Sequence, residues 1–172
     1  MGIFDKIFGG KKNIENDNGY NETYHSNGKK TFYKKNGVLE GLCSFYDKNG
    51  KLSSTLMKKN GETEGVFKSF YENGQIREEK TYLEGTAQGT KKGYYNDGVL
   101  SYEGILKDGR SNGLWKFYYN TGELFKKLNY KNGKIEGYEM EFKKNGELIS
   151  KTNYKNNFKV DDRYINETLK QK

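Results

Sequence analysis

From residue 20 to about 157, apolar and polar positions alternate in short runs, and the 3.6-residue recurrence of an amphipathic helix is missing. The runs are rich in Tyr, Phe and β-branched residues. Asn-Gly or Asp-Gly pairs bound them, which is the strongest short-range signal for a β-hairpin. The segment from Gly113 to Gly133 shows one unit: a run to Tyr119, the turn Asn120-Thr121-Gly122, a second run to Tyr130, and the turn Lys131-Asn132-Gly133.

The unit is copied along the chain. Gly41, Gly65, Gly89, Gly113 and Gly137 recur every 24 residues, as do Gly50, Gly74, Gly98, Gly122 and Gly146. A third series, Gly37, Gly61, Gly85, Gly109 and Gly133, keeps the step and ends with Asn157 in the sixth place. Gly28 opens an earlier copy shortened by two residues. Such a period means stacked supersecondary units. The expected fold is all-β: an elongated single antiparallel sheet of tandem 24-residue β-hairpins, six copies over residues 20–157, advancing roughly 10 Å per copy.

The turn after each first strand should be a three-residue loop with Gly in the left-handed region, because a two-residue I′ turn would force positive φ on Thr121. That loop pairs Tyr118 with Leu124, Phe70 with Ile76, Tyr94 with Leu100 and Phe142 with Leu148. Extended without interruption, the register collects Leu42, Tyr46, Leu52 and Leu56 on one face, then Val66, Phe70, Ile76 and Tyr82, with Leu106, Leu114, Tyr130, Tyr138 and Tyr154 further on. This face is apolar in every copy and is expected to be structural. The other face changes between copies, from Cys43 and Phe45 through Phe67, Tyr71, Lys91 and Tyr95 to Trp115, Phe117, Tyr119 and Phe125, then Glu139 and Glu141. It is expected to do the recognising.

Sheet ends need covers. Residues 1–19 are expected to form a short helix carrying Ile3, Phe4, Ile7 and Phe8, followed by a polar linker from Gly9 to Asn18. Residues 158–172 are expected to form a capping helix, N-capped by Asp161 and presenting Val160, Tyr164, Ile165 and Leu169.

The pattern Gly-x-Trp-x-x-Tyr-Tyr-x-x-Gly-x-Leu followed by Tyr-x-x-Gly, carried by Gly113, Trp115, Tyr118, Tyr119, Gly122, Leu124, Tyr130 and Gly133, resembles the bacterial variant of the MORN repeat. Proteins built from it are often grouped as the YwqK family of antitoxins. The Trp is kept at position 115, while Cys43, Phe67, Lys91 and Glu139 stand in its place elsewhere. The resemblance implies a repeat scaffold that binds a protein toxin.

Composition adjusts this picture without redrawing it. The mean hydropathy is low, −1.10, but aromatic residues make up 15 % of the 172, which argues against a disordered chain. With one Cys and one His there is no disulfide framework, and a Cys- or His-built metal site is not expected. No run approaches the ~20 apolar residues of a membrane span, and MGIFDKIFGG is a poor secretory signal, so the expected location is the cytoplasm. The net charge of +8 comes almost wholly from lysines interleaved with Glu. A nucleic-acid site would favour Arg in a continuous stripe, so nucleic acid is not an expected partner.

Catalytic motifs are missing: there is no P-loop, no nucleophile elbow and no HExxH, and His25 has no partner within its copy. Glu139 and Glu141 read as a solvated face with Lys143. No enzyme activity and no cofactor are expected. The expected function is a non-catalytic protein-binding scaffold of antitoxin or immunity type, covering the active surface of a toxin with an acidic face. Its anchors would be Phe67, Tyr71, Tyr95, Trp115, Phe117, Tyr119 and Phe125. On that reading Trp115→Ala leaves the fold intact and costs on the order of 2–4 kcal/mol of partner affinity. The alternative is a membrane-associated or general assembly scaffold, in which Ile3–Phe8 contacts anionic lipid, though weakly. The sequence leaves the oligomeric state open.

Overall fold

A computed structural model describes residues 13–160. The described residues are all-β, with fourteen antiparallel strands in one open sheet whose order follows the chain. By internal contacts the chain comprises two units, residues up to Ala87 with Asn96–Gly98, and Gln88–Tyr95 with Val99 onward. The expected helices of residues 1–8 and 161–172 lie outside the described residues. Val160 belongs to a strand, Phe158–Val160, and not to a helix.

The first unit contains β1 (Gly19–His25), β2 (Gly28–Lys35), β3 (Val38–Asp47), β4 (Leu52–Lys59), β5 (Glu62–Phe70) and β6 (Ile76–Leu83). The second contains most of β7 (Thr86–Tyr94), then β8 (Leu100–Lys107), β9 (Arg110–Tyr118) and β10 (Leu124–Lys131). It ends with β11 (Lys134–Ile135), β12 (Gly137–Phe142), β13 (Leu148–Lys155) and β14 (Phe158–Val160). β11 pairs with the end of β10.

Two turn chemistries alternate. At the first, Tyr119 N–H donates to Glu123 O and Gly122 N–H to Tyr119 O, both at 2.9 Å, which closes a three-residue loop. Gly122 alone takes positive φ there, 98°, as expected for a Thr-containing turn. At the second, Asn36 (φ 51°) and Gly37 (φ 78°) form a two-residue I′ turn between the paired Lys35 and Val38.

These I′ turns also tie each copy to the one before. Gly61 N–H donates to Leu39 O at 2.9 Å and Asn60 N–H to Glu40 Oε2 at 2.8 Å. Gly85 and Glu84 repeat the pair on Thr63 and Glu64, and Asn157 and Asn156 repeat it on Ile135 and Glu136. The glutamate in each pair satisfies a backbone donor that the turn leaves unpaired.

The stretch expected to be a polar linker is, from Asn13 on, the cover of the first sheet edge. Ile14 and Glu22 exchange backbone hydrogen bonds of 2.8 and 2.9 Å, and Asn13 Oδ1 accepts from Tyr24 N–H at 2.9 Å. Asp17 O and Asn18 Oδ1 take the turn at Asn36-Gly37 just as Leu39 and Glu40 take the next one. The repeat logic therefore begins upstream of residue 20. Asn21 is fully buried beneath this cover, its Oδ1 accepting from Asn16 N–H at 2.6 Å.

Candidate protein-interaction surface

The first pairs after each loop form as expected: Tyr118 with Leu124, Phe70 with Ile76, Tyr94 with Leu100 and Phe142 with Leu148. One residue later the register slips. In β9–β10 the next pair is Phe117 with Lys126, so Phe125 is extra, and Leu128 comes opposite Trp115. Arg77, Ser53 and Ile149 are the extra residues in their copies. A one-residue bulge turns the rest of a strand over. Leu56 therefore shares a side with Cys43, Tyr82 with Phe67, Leu106 with Gly104, and Tyr130 with Trp115.

This slip overturns the assignment of the faces. The side expected to recognise a partner is the packed one. In the first unit it buries Cys43 and Phe32 (0 % and 6 % exposed) and sets the Phe67 ring edge-on to Tyr82 at 6.5 Å. Burial raises the Cys43 thiol above its ordinary pKa, which makes it a packing residue and not a nucleophile. In the second unit the packed side buries Leu106, Trp115 and Leu128.

The Trp115 ring stacks on Tyr102 (6.1 Å) and Phe117 (6.4 Å), meets Tyr130 edge-on (5.8 Å), and its Nε1–H donates to Ile105 O at 3.2 Å. Gly104 lies beneath Trp115 and Gly93 beneath Tyr102, where any Cβ would collide with the ring above. A single-layer sheet thus makes a core by laying large rings over glycines.

The expected anchors separate into packing, linking and tip positions. Trp115, Phe117 and Phe67 pack. Tyr95 and Tyr119 link copies: their hydroxyls donate to Tyr118 O (2.7 Å) and Phe142 O (2.8 Å). Phe125, the bulged residue, packs against Tyr119 at 5.1 Å, and Tyr71 stands at a hairpin tip beside Asn73 and Gly74. Tyr119→Phe should cost about 1 kcal/mol, read from the urea midpoint, because it leaves Phe142 O without its donor.

The opposite side, expected to be structural, is open. In the second unit Ile105, Leu114 and Leu148 are 45 %, 45 % and 48 % exposed. Lys92, Lys116, Lys127 and Lys151 share that side, as the pairs Lys92–Glu103, Lys116–Lys127 and Lys151–Met140 show. Glu103 is already engaged by Tyr118 Oη (2.7 Å) and Lys116 Nζ (3.6 Å). Burial and that hydrogen bond to Glu103 push the Tyr118 phenol up to about 12. In the first unit the same side exposes Leu42, Met57 and Val66.

Glu139 and Glu141 lie on the packed side and turn to Lys126, at 3.6 and 2.8 Å; Lys143 pairs with Glu147 instead. The hydrogen bond from Lys126 holds the Glu141 carboxyl below its usual 4.5 and, seen from its partner, raises Lys126 above 10.5. The stability this pair adds is complete above pH 4.5 and drains away as pH falls through the lowered Glu141 value. Glu141→Gln should flatten that acid limb in a series of urea melts between neutral and acid pH.

Among the described residues no group of three or more His, Cys, Asp or Glu side chains is placed to hold a metal ion, and no helix is long and apolar enough to cross a membrane.

The stacked hairpins define a repeat scaffold, and comparison names its kind. The MORN repeat variant matches at residues 39–60, 63–84, 111–132 and 135–156, just over half of the chain. The chain belongs to the MORN repeat variant family. The copy left unmatched between 84 and 111 is the one that supplies Gly93 and Gly104 to the ring stack. No match is found among the curated proteins. Solved structures that resemble the chain include TarM, at 17 % identity and a TM-score of 0.38, over 55 % of this chain and 20 % of that one. Another is the GtfA/B complex bound to UDP and GlcNAc, at 11 % identity and 0.31, over 92 % and 28 %. The chain thus spans less than a third of the length of either. MORN repeats suggest a scaffold that binds proteins or membranes.

Proposed function

We propose that this protein is a non-catalytic scaffold that binds an acidic protein partner on the open face of its second unit. The partner class that fits best is a toxin, neutralised in the cytoplasm when the scaffold covers its active surface. One observation carries this reading: exposed Ile105, Leu114 and Leu148 stand among Lys92, Lys116, Lys127 and Lys151, with Glu103 already neutralised. Apolar side chains ringed by four lysines, with Glu103 the carboxylate already engaged by Lys116, favour a surface with a hydrophobic centre and an acidic rim. The antitoxin role is supported by the repeat pattern around Trp115, which resembles that of proteins grouped as antitoxins.

The test begins with a partner purified from the native host and a growth assay that scores neutralisation. Leu114→Glu and Lys116→Glu should each raise Kd on the order of tenfold or more and reduce growth rescue. The Leu114→Glu midpoint should stay unchanged, since that side chain faces solvent, while Lys116→Glu should lower its midpoint slightly by setting a carboxylate opposite Glu103. Wild-type Kd for both variants would remove the open face from the interaction. Binding to anionic vesicles without any protein partner would favour a membrane scaffold.

A further inference from the structure

The copies differ at the residue just before the first turn, which runs His25, Asp47, Tyr71, Tyr95, Tyr119, Lys143 along the chain; the turn has two residues after His25 and three in the later copies. Tyr95 and Tyr119 fill the groove between neighbouring hairpin tips and donate to a carbonyl in the next copy. Asp47 has no proton to donate, and its Oδ1 accepts from Asn49 and Lys51 N–H within its own turn at 2.8 and 2.9 Å. In the first copy His25 stands where later copies place the phenol, and an opening of 850 Å³ lies beside it, within the first unit.

The walls of this opening have a consistent chemistry. Phe45 and Tyr46 give aromatic surface, and Ser26, Asn27 and Ser54 give polar donors beside His25; the Ser53 hydroxyl donates to Phe45 O at 3.0 Å, and Lys29 is paired with Glu22 at 3.6 Å. Lys30 Nζ sits 4.6 Å from the Phe32 ring centre and 5.7 Å from that of Phe45, and it has no carboxylate partner among the described residues. The one lining carboxylate, Asp47, is turned to its own backbone. A half-buried ammonium held by rings alone gains most from an oxyanion.

We propose that this opening is a small-molecule site for a phosphate monoester carried on a planar aromatic body. The phosphoryl group sits on Lys30 and the seryl hydroxyls, and the ring lies in the space that a tyrosine fills in later copies. The site is separate from the open face of the second unit, and either can hold without the other.

Phenyl phosphate titrated into the full chain, followed by amide NMR shifts, tests this directly. Shifts should concentrate at Ser26, Asn27, Ser53 and Ser54, and inorganic phosphate should bind more weakly than phenyl phosphate. Lys30→Met should weaken binding about tenfold or more. His25→Tyr should abolish it by closing the opening, with the unfolding midpoint held or raised. Shifts spread over the lysines at large, or unaltered binding by Lys30→Met, would overturn the proposal. Equal affinity for inorganic phosphate would remove its aromatic component.

Discussion

Trp115→Ala should lower the stability of the protein by about 3–5 kcal/mol, read as a shift of the denaturation midpoint followed by far-UV circular dichroism. The reason lies in how little else this sheet buries. Six apolar side chains are below a tenth exposed, and three of them, Leu106, Trp115 and Leu128, are in the second unit. Removing the indole strips the cover from Gly104, parts Tyr102 from Tyr130, and leaves Ile105 O without its Nε1 donor. The floor of that space is backbone, so only the flanking rings of Tyr102, Phe117 and Tyr130 can move to fill it. A change of under about 1 kcal/mol would mean that the ring stack is not the core of this unit. The sequence alone points to a harmless truncation and a binding loss; the burial of the ring reverses that expectation.

Gly28→Ala should be comparably damaging, by roughly 3 kcal/mol or more. Gly28 pairs with Asp47 and takes a φ of 150°. A methyl group there would run into the carbonyl of Tyr46, which is backbone and cannot rotate away. The expected signature is loss of amide protection through β1, β2 and β3, with β9 and β10 keeping theirs, because hairpin copies depend mainly on their neighbours. Undiminished protection in β1 would show that the strand can shift to admit the methyl.

The glycine period and the Asn-Gly turns made the repeat architecture readable, and Thr121 even specified the loop length. The faces were not readable by the same route. The bulged positions carry Ser53, Arg77, Ser101, Phe125 and Ile149, which run from hydroxyl through cation to aromatic and aliphatic, so no one side-chain type marks the slip. A signal did exist for the second irregularity. Gly113 stands at the head of an apolar run and within β9, and it takes a φ of 71° where β8 and β9 change register; a glycine within a strand is the usual mark of such a bulge. Gly93 and Gly104 were legible only as gaps in the apolar pattern, since their use depends on rings from neighbouring strands. The linking glutamates, Glu40, Glu64 and Glu136, are polar residues in a solvated sequence context, and their partners lie about 20 positions away. The open face stands out as a surface only when the burial of Cys43, Trp115 and Leu128 on the other side is known.

The direction of those backward links bears on how the chain is made. The I′ turns at Gly37, Gly61, Gly85, Gly133 and Asn157 donate to acceptors that precede them: Gly61 and Asn60 reach Leu39 and Glu40, and Gly133 reaches Ser111. A ribosome therefore delivers each of these turns to a docking point that has already emerged, so ordering can follow synthesis from the first hairpin onward without awaiting the far terminus.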